Sequence, residues 1–184
     1  MSANNEIINR VRSKALNNDR YSGCSQAVLG ALQEEFGIGD LESFKSATVL
    51  AGGVADRGET CGALIGALMG LGLVIGRQKM EDELTFSNAL DACQDLIERF
   101  KEGLQKHFGF KKKLENTLCK DIQERIYGRS FSSRDEKEEQ AFLDAGGHTE
   151  KGCLTTCAIA AEVAAQKLLK LKRSKPLTIW EHQE

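Results

Sequence analysis

The six cysteines are the residues of this chain with the most distinctive chemistry. They are Cys24, Cys61, Cys93, Cys119, Cys153 and Cys157. No two are separated by only two residues, so the Cys-x-x-Cys motif of thioredoxins and zinc ribbons is absent. The sequence starts with a polar segment and lacks the basic-then-apolar run of a signal peptide, so we expect a reducing, cytoplasmic location. There, clustered thiols indicate metal binding or redox chemistry rather than structural disulfides.

Four of the cysteines lie where the sequence predicts that a helix begins. These four are Cys24, Cys61, Cys119 and Cys153. Unpaired N–H groups and the positive end of the helix dipole favour negative charge at such a position, so we expect thiols with a lowered pKa. Four helix ends pointing inward would form a soft-ligand site suited to an iron–sulfur cluster or to zinc.

The other two cysteines have different settings. Cys157 lies one helical turn beyond Cys153 on the same face, so it is either a further ligand, a resolving thiol or a core residue. Cys93 lies in the middle of a predicted helix among apolar neighbours, which favours a core residue. His148 lies five residues before Cys153 in a glycine-containing loop, and we expect a solvated side chain there.

Apolar residues recur at helical spacing along most of the chain, and no convincing alternating strand is found. Helices are predicted over about 6–16, 23–36, 41–50, 61–76, 81–108, 118–127 and 153–172. Ser22 and Thr117 are predicted to cap two of them. A polar insert occupies 128–150, and a tail that contains the one weak strand candidate, 177–180, occupies 173–184. We therefore expect an all-α, single-domain bundle over 1–184.

The most apolar segment, about 60–76, is predicted to be a central glycine-rich helix. Its sixteen uncharged residues from Cys61 to Gly76 are fewer than the roughly twenty that a membrane span needs. Gly62, Gly66 and Gly70 recur every four residues and form a smooth stripe. Such a stripe permits tight helix packing, room for a cofactor, or a homodimer contact.

The overall composition excludes some classes of function. Lys and Arg total 25 and Asp and Glu total 27, so the net charge of −2 argues against a dedicated nucleic-acid-binding protein. The hydrophobic share of 41% is typical of ordinary globular domains, and we expect no membrane span.

The segment Cys61-Gly62-Ala63-Leu64-Ile65-Gly66 carries a family resemblance. The chain is similar to a family of small helical redox-active proteins named for a C-GCAxxG-C-C cysteine pattern. Over about 5–170, the remaining family cysteines correspond to Cys24, Cys119 and Cys153. Ser25 departs from the usual alanine, and neither Cys93 nor Cys157 has a counterpart. The resemblance implies redox activity, and a similar domain fused to a multihaem cytochrome holds an iron–sulfur centre.

Three hypotheses remain open at this point. In the first, the four family cysteines hold an iron–sulfur cluster that exchanges electrons with a redox partner protein or a small electron carrier. In the second, the protein is a metal-free thiol–disulfide or peroxide-type enzyme, with Cys153 and Cys157 as the attacking and resolving thiols. In the third, it is a helical binding or structural protein with zinc at the four cysteines.

Overall fold

A computed structural model describes residues 2–174, with side chains described as far as Lys172. Eight α-helices make up most of this part of the chain. They are α1 (Ala3–Asn18), α2 (Cys24–Phe36), α3 (Leu41–Ser46), α4 (Gly62–Ile75), α5 (Glu83–Phe108), α6 (Cys119–Tyr127), α7 (Glu136–Asp144) and α8 (Cys153–Ser174). Short 3-10 turns cover Asp19–Tyr21 and Ala47–Leu50. Within 2–174 the one β interaction is an isolated bridge, so the prediction of an all-α protein is confirmed.

Helices α4 and α8 lie at the centre of the bundle. Helix α8 packs against α1, α2, α4 and α5, and α4 packs against α2, α5 and α8. Small alanine side chains on α8 are fully buried and permit this close approach of four neighbours; they are Ala158, Ala160, Ala161, Ala164 and Ala165. Leu96, Phe100 and Leu104 bring the second half of α5 onto the same core.

The glycine stripe of α4 is used within the chain. A Cβ atom at Gly66 would overlap the carbonyl oxygen of Ser25, and one at Gly70 would lie 2.6 Å from Leu32 Cδ1. At Gly62 a Cβ would overlap the Sγ atom of Cys24. The stripe therefore brings α2 against α4 and offers no surface to a second copy of the chain.

Several helix ends differ from their predictions. The helix predicted over 41–50 ends at Ser46 and continues as a 3-10 turn. The capping roles of Ser22 and Thr117 were wrong. Gly23, with φ of 94°, precedes α2 without a side-chain cap, and Leu118 precedes α6. Neither helix start has a side-chain cap, so a capping pattern in the sequence does not locate them.

The polar insert 128–150 contains α7 and two loops. Tyr127, Phe131, Phe142 and His148 form edge-to-face ring contacts that fold it back beside the start of α8. Helix α8 runs two residues beyond its predicted end. The strand candidate 177–180 lies outside the described residues.

None of the helices described here combines the length and the apolar character that crossing a bilayer requires.

Candidate functional site

Four cysteines mark the starts of four different helices, as the sequence predicts. Cys24, Cys119 and Cys153 are the first residues of α2, α6 and α8. Cys61 directly precedes α4 as its N-cap residue. Each therefore lies beside the N–H groups that a helix leaves without partners in its first turn.

A left-handed turn lies between the 3-10 turn Ala47–Leu50 and the start of α4. Gly52, Gly53, Val54, Ala55 and Asp56 all have φ between 51° and 70°. For the three residues other than glycine, this conformation costs about 1–2 kcal/mol each. Such strain persists only where the surroundings impose it, and it is concentrated at functional sites.

The left-handed turn is pressed against the cysteines. A Cβ atom at Gly53 would lie 2.7 Å from Cys119 Cβ and 2.6 Å from the carbonyl oxygen of Glu59. The N–H group of Gly52 points to the thiol of Cys24. The glycine pair therefore allows the backbone to approach two cysteines from different helices.

An antiparallel backbone pairing joins Cys61 to Cys119. The Cys61 N–H donates to the carbonyl oxygen of Thr117 at 2.8 Å, and the Cys119 N–H donates to that of Glu59 at 2.6 Å. Thr60 and Leu118 face each other in the isolated bridge between these bonds. Two cysteines that are distant in sequence are thus fixed side by side.

Polar side chains lie next to two of the sulfur atoms. The Tyr127 hydroxyl accepts a hydrogen bond from the Cys153 N–H at 3.1 Å and lies 3.5 Å from the Cys153 Sγ. The amide Nε2 of Gln123 lies 3.9 Å from the Cys119 Sγ, within reach of a weak donation to sulfur. Sequence reasoning missed both residues, because a tyrosine and a glutamine within a helix carry no distinctive signal.

Cys157 belongs to the same region and Cys93 does not. The Cys157 side chain is fully buried, and its Sγ lies 3.9 Å from the carbonyl oxygen of Cys24. Cys93 lies on α5, where its charged neighbour is Lys167. The structure therefore brings the four helix-start cysteines and Cys157 together and leaves Cys93 apart.

Burial dominates the acid–base behaviour of these five thiols. It raises the pKa of Cys61, raises the pKa of Cys153 to about 12, and raises those of Cys24, Cys119 and Cys157 well above the ordinary thiol value. N–H groups at the start of α4 do lower the pKa of Cys61, but burial outweighs them. The expectation of lowered thiol pKa values was therefore wrong for the metal-free protein.

Asp19 is a third polar residue that sequence reasoning missed, and it is buried. It ends α1, is 1% exposed, and its two carboxylate oxygens accept no hydrogen bond from the described chain. After the larger effect of burial, its negative charge also raises the pKa of Cys24, Cys153 and Cys157. An aspartate at a helix end is common, so the sequence gives no reason to single it out.

His148 lies against Asp19 rather than in solvent. Its Nδ1 atom is 3.7 Å from Asp19 Oδ2, too long for a hydrogen bond but within range of electrostatic attraction. The Asp19 carboxylate raises the pKa of the imidazole, and partial burial opposes this effect. The prediction of a solvated side chain was wrong, because the histidine side chain is only 27% exposed.

The region reaches the surface at Cys119. A cleft of about 380 Å³ is lined by Cys119 together with Arg57, Lys120 and Gln123. Within the described residues, no three His, Cys, Asp or Glu side chains converge as a ready-made site for a single metal ion. The soft donors of this region therefore reach solvent at the cleft beside Cys119.

Comparison with known proteins places the chain in a family. The family described as "Putative redox-active protein (C_GCAxxG_C_C)" matches residues 22–167, a span that includes all six cysteines. No curated protein and no solved structure matches the chain at a significant level. Because the match covers most of the sequence, the chain belongs to this family of redox-active proteins.

Proposed function

We propose that this protein transfers electrons through an iron–sulfur cluster held by Cys24, Cys61, Cys119 and Cys153. The observation that carries the proposal is the arrival of four cysteines, each at the start of a different helix, in one buried region. Thiolates are the usual ligands of such clusters. The membership of a redox-active family is in keeping with this chemistry.

The protonation state of the thiols favours the binding of a positively charged group. Burial keeps these thiols protonated at neutral pH, so a reactive thiolate would be scarce in metal-free protein. Iron ions displace those protons and supply the charge that makes buried thiolates tolerable. Thiol–disulfide exchange with Cys153 as the attacking group is disfavoured by the same raised pKa.

A single zinc ion, the alternative guest, makes a strict demand on the spacing of the sulfur atoms. A tetrahedral zinc site would require sulfur atoms about 3.8 Å apart, given zinc–sulfur bonds of about 2.3 Å. Within residues 2–174, no group of three or more His, Cys, Asp or Glu side chains is arranged to hold a metal ion. A cluster of several irons and sulfides spans more space and accepts ligands from four helices.

The surrounding groups have defined parts in this proposal. An iron–sulfur cluster supplies one-electron redox chemistry. The N–H groups of Ala63 and Leu64 and the Tyr127 hydroxyl would stabilise negative charge on sulfur, which raises a reduction potential. The cleft at Cys119, with Arg57 and Lys120 at its rim, is the expected side for a redox partner protein or a small electron carrier. Cys157 stays a candidate fifth thiol.

The test is metal and sulfide analysis of protein purified without oxygen, together with its absorption spectrum. We expect brown protein containing iron and sulfide, or protein that becomes so after incubation with both. Cys61→Ser should lose most of the iron. Cys93→Ser is the matched control and should retain it, since Cys93 lies outside the region.

Two results would contradict the proposal. Colourless protein with bound zinc would indicate a structural site. Colourless protein that stays metal-free after reconstitution, with thiols that react rapidly near neutral pH, would indicate thiol chemistry.

A further inference from the structure

The apolar stripe of α5 extends beyond the core that it helps to form. Ile97 and Cys93 pack against the core, and the same face of the helix carries Leu90 and Phe86 further toward its start. Leu90 is 49% exposed and Phe86 is 43% exposed, so no residue that the structure describes buries them. The stripe therefore ends in an uncovered apolar patch, the α5 surface, which consists of Phe86 and Leu90.

The end of α8 lies beside the α5 surface. The two helices run antiparallel, because a Cβ atom at Gly103 would lie 2.6 Å from Ile159 Cγ2, whereas Lys167 pairs with Asp95 at 2.8 Å. The part of α8 that follows Lys167 ends at Ser174, and it advances about 10 Å along α5 toward the start of that helix. The chain therefore leaves α8 next to the turn of α5 that begins the uncovered surface.

The segment 175–184 has the length and the composition to cover the α5 surface. Ten residues extend up to about 30 Å, whereas the stretch of α5 from Leu90 back to Glu83 is about 10 Å long. Pro176 disfavours a helical conformation at the residue before it, so the sequence does not favour a longer α8. The large apolar residues of the segment are Leu177, Ile179 and Trp180.

The order of charges along the two segments is complementary. A segment that continues in the direction of α8 passes Asp91 before it reaches Arg77, whose guanidinium lies 4.3 Å from the centre of the Phe86 ring. In the sequence after α8, the cation Lys175 comes first and the anion Glu181 follows. Opposite charges therefore match at both ends of the α5 surface, which favours this direction over the reverse one.

We propose that the segment 175–184 docks on the α5 surface of its own chain and covers Phe86 and Leu90. Tethering favours this occupant over a second copy of the chain, because a short linker gives an effective concentration in the millimolar range. A stable dimer also needs about 800 Å² from each partner, contributed by about 20–30 residues, which two side chains do not supply. The inference is independent of the proposed cluster, since none of the four proposed ligands lies on α5.

The test uses Trp180, the one tryptophan of the chain. In the full chain without added metal, we expect its fluorescence to be blue-shifted and protected from acrylamide quenching, relative to the urea-unfolded protein. Leu90→Glu should shift the emission to the red and remove the protection, because burying the new carboxylate costs free energy. Leu143→Glu is the matched control, since Leu143 is 44% exposed on α7, and it should behave as the wild type.

A second pair of variants leaves α5 itself unchanged. Trp180→Ala should increase the fluorescence of an added hydrophobic dye above the wild-type level, because the α5 surface then loses a large part of its cover. Trp180→Phe keeps an aromatic ring and should stay close to the wild type. Equal dye fluorescence in Trp180→Ala and the wild type would overturn the inference.

The fluorescence measurements can also overturn it in two other ways. A Trp180 emission that is the same in folded and unfolded protein, or that Leu90→Glu leaves unchanged, would show that the segment does not dock on α5. A blue shift that appears only at high protein concentration, together with a dimer in sedimentation, would show that a second copy covers the surface.

Discussion

At the scale of single residues, the distinctive feature of this protein is a set of thiols buried where they do not ionise easily. Cys24 has the Gly52 N–H nearby and Cys153 has the Tyr127 hydroxyl, yet burial controls the pKa values of both thiols. Each buried thiolate would also repel the others and the Asp19 carboxylate. The region therefore favours the binding of a group that carries positive charge.

The raised thiol pKa values predict how the metal-free protein responds to alkali. The folded state holds its thiol protons to higher pH than the unfolded state, whose thiols titrate near pH 9.0. The thiols' contribution to stability is therefore fully present below about pH 9 and is lost as pH rises through the folded pKa values. Urea unfolding should give a lower free energy of unfolding at pH 10 than at pH 7.5.

Cys157→Ala isolates the contribution of one thiol to this response. Its pKa is raised well above the ordinary value, so the variant should lose less stability between the two pH values than the wild type does. Equal pH dependence in both proteins would show that Cys157 does not titrate as the structure indicates.

At the scale of helices and turns, the site depends on close backbone approach. Helix α4 reaches α2 because glycine occupies the contact positions, and the left-handed turn at 52–56 reaches Cys119 for the same reason. The two glycine sets position Cys24, Cys61 and Cys119 together. Substitutions that push these backbone segments apart should therefore lower the free energy of unfolding.

A pair of glycine substitutions in α4 tests this dependence. Gly66→Ala would force the new Cβ onto the carbonyl oxygen of Ser25, which is backbone and cannot move aside. We expect a loss of about 1–3 kcal/mol in unfolding free energy, as in other overpacked cores. Gly72→Ala meets nothing within 4 Å and should gain about 0.5–1 kcal/mol from helix propensity.

Urea or thermal unfolding of the two variants provides the measurement. A Gly66→Ala protein as stable as the wild type would mean that α2 and α4 are not held as closely as described.

The helices could be predicted from the sequence more accurately than the connections between them. Periodic apolar residues predicted α2, α5 and α8 to within a few residues, because burial of one face is what makes those segments helical. The bridge between Thr60 and Leu118 was not predicted, since it pairs two isolated backbone segments without a strand pattern. Nor was the left-handed turn, because Val54 rarely adopts positive φ and does so here under constraint from its surroundings.

At the scale of the whole molecule, the five thiols come from four helices that have little else in common. Helices α2, α4 and α8 pack against one another in the core, whereas α6 is held by the pairing at Cys119, by buried Ile122 and by the contact of Tyr127 with Cys153. A bound centre would connect α6 to the rest of the protein. The positions of the cysteines in sequence predicted their helix starts and left the role of Cys157 open, and the folded chain brings its sulfur to the start of α2.

Loading with metal should therefore stabilise the entire fold. A ligand that binds only the folded state adds about 2.7 kcal/mol when present at a hundred times its dissociation constant. We expect a higher melting temperature for reconstituted wild type and for Cys93→Ser than for their metal-free forms. Cys61→Ser should show no such increase, and an equal increase in this variant would indicate that iron stabilises the protein from elsewhere.

The distribution of the thiols along the chain also fixes when the site can form. Cys24 leaves the ribosome before the other cysteines, the paired Cys61 and Cys119 follow, and Cys153 comes after all three. No partial chain that ends before α8 contains the complete set. A centre held by all four cysteines could therefore be completed only after α8 has been made, and until then the earlier thiols are open to oxidation or to wrong partners.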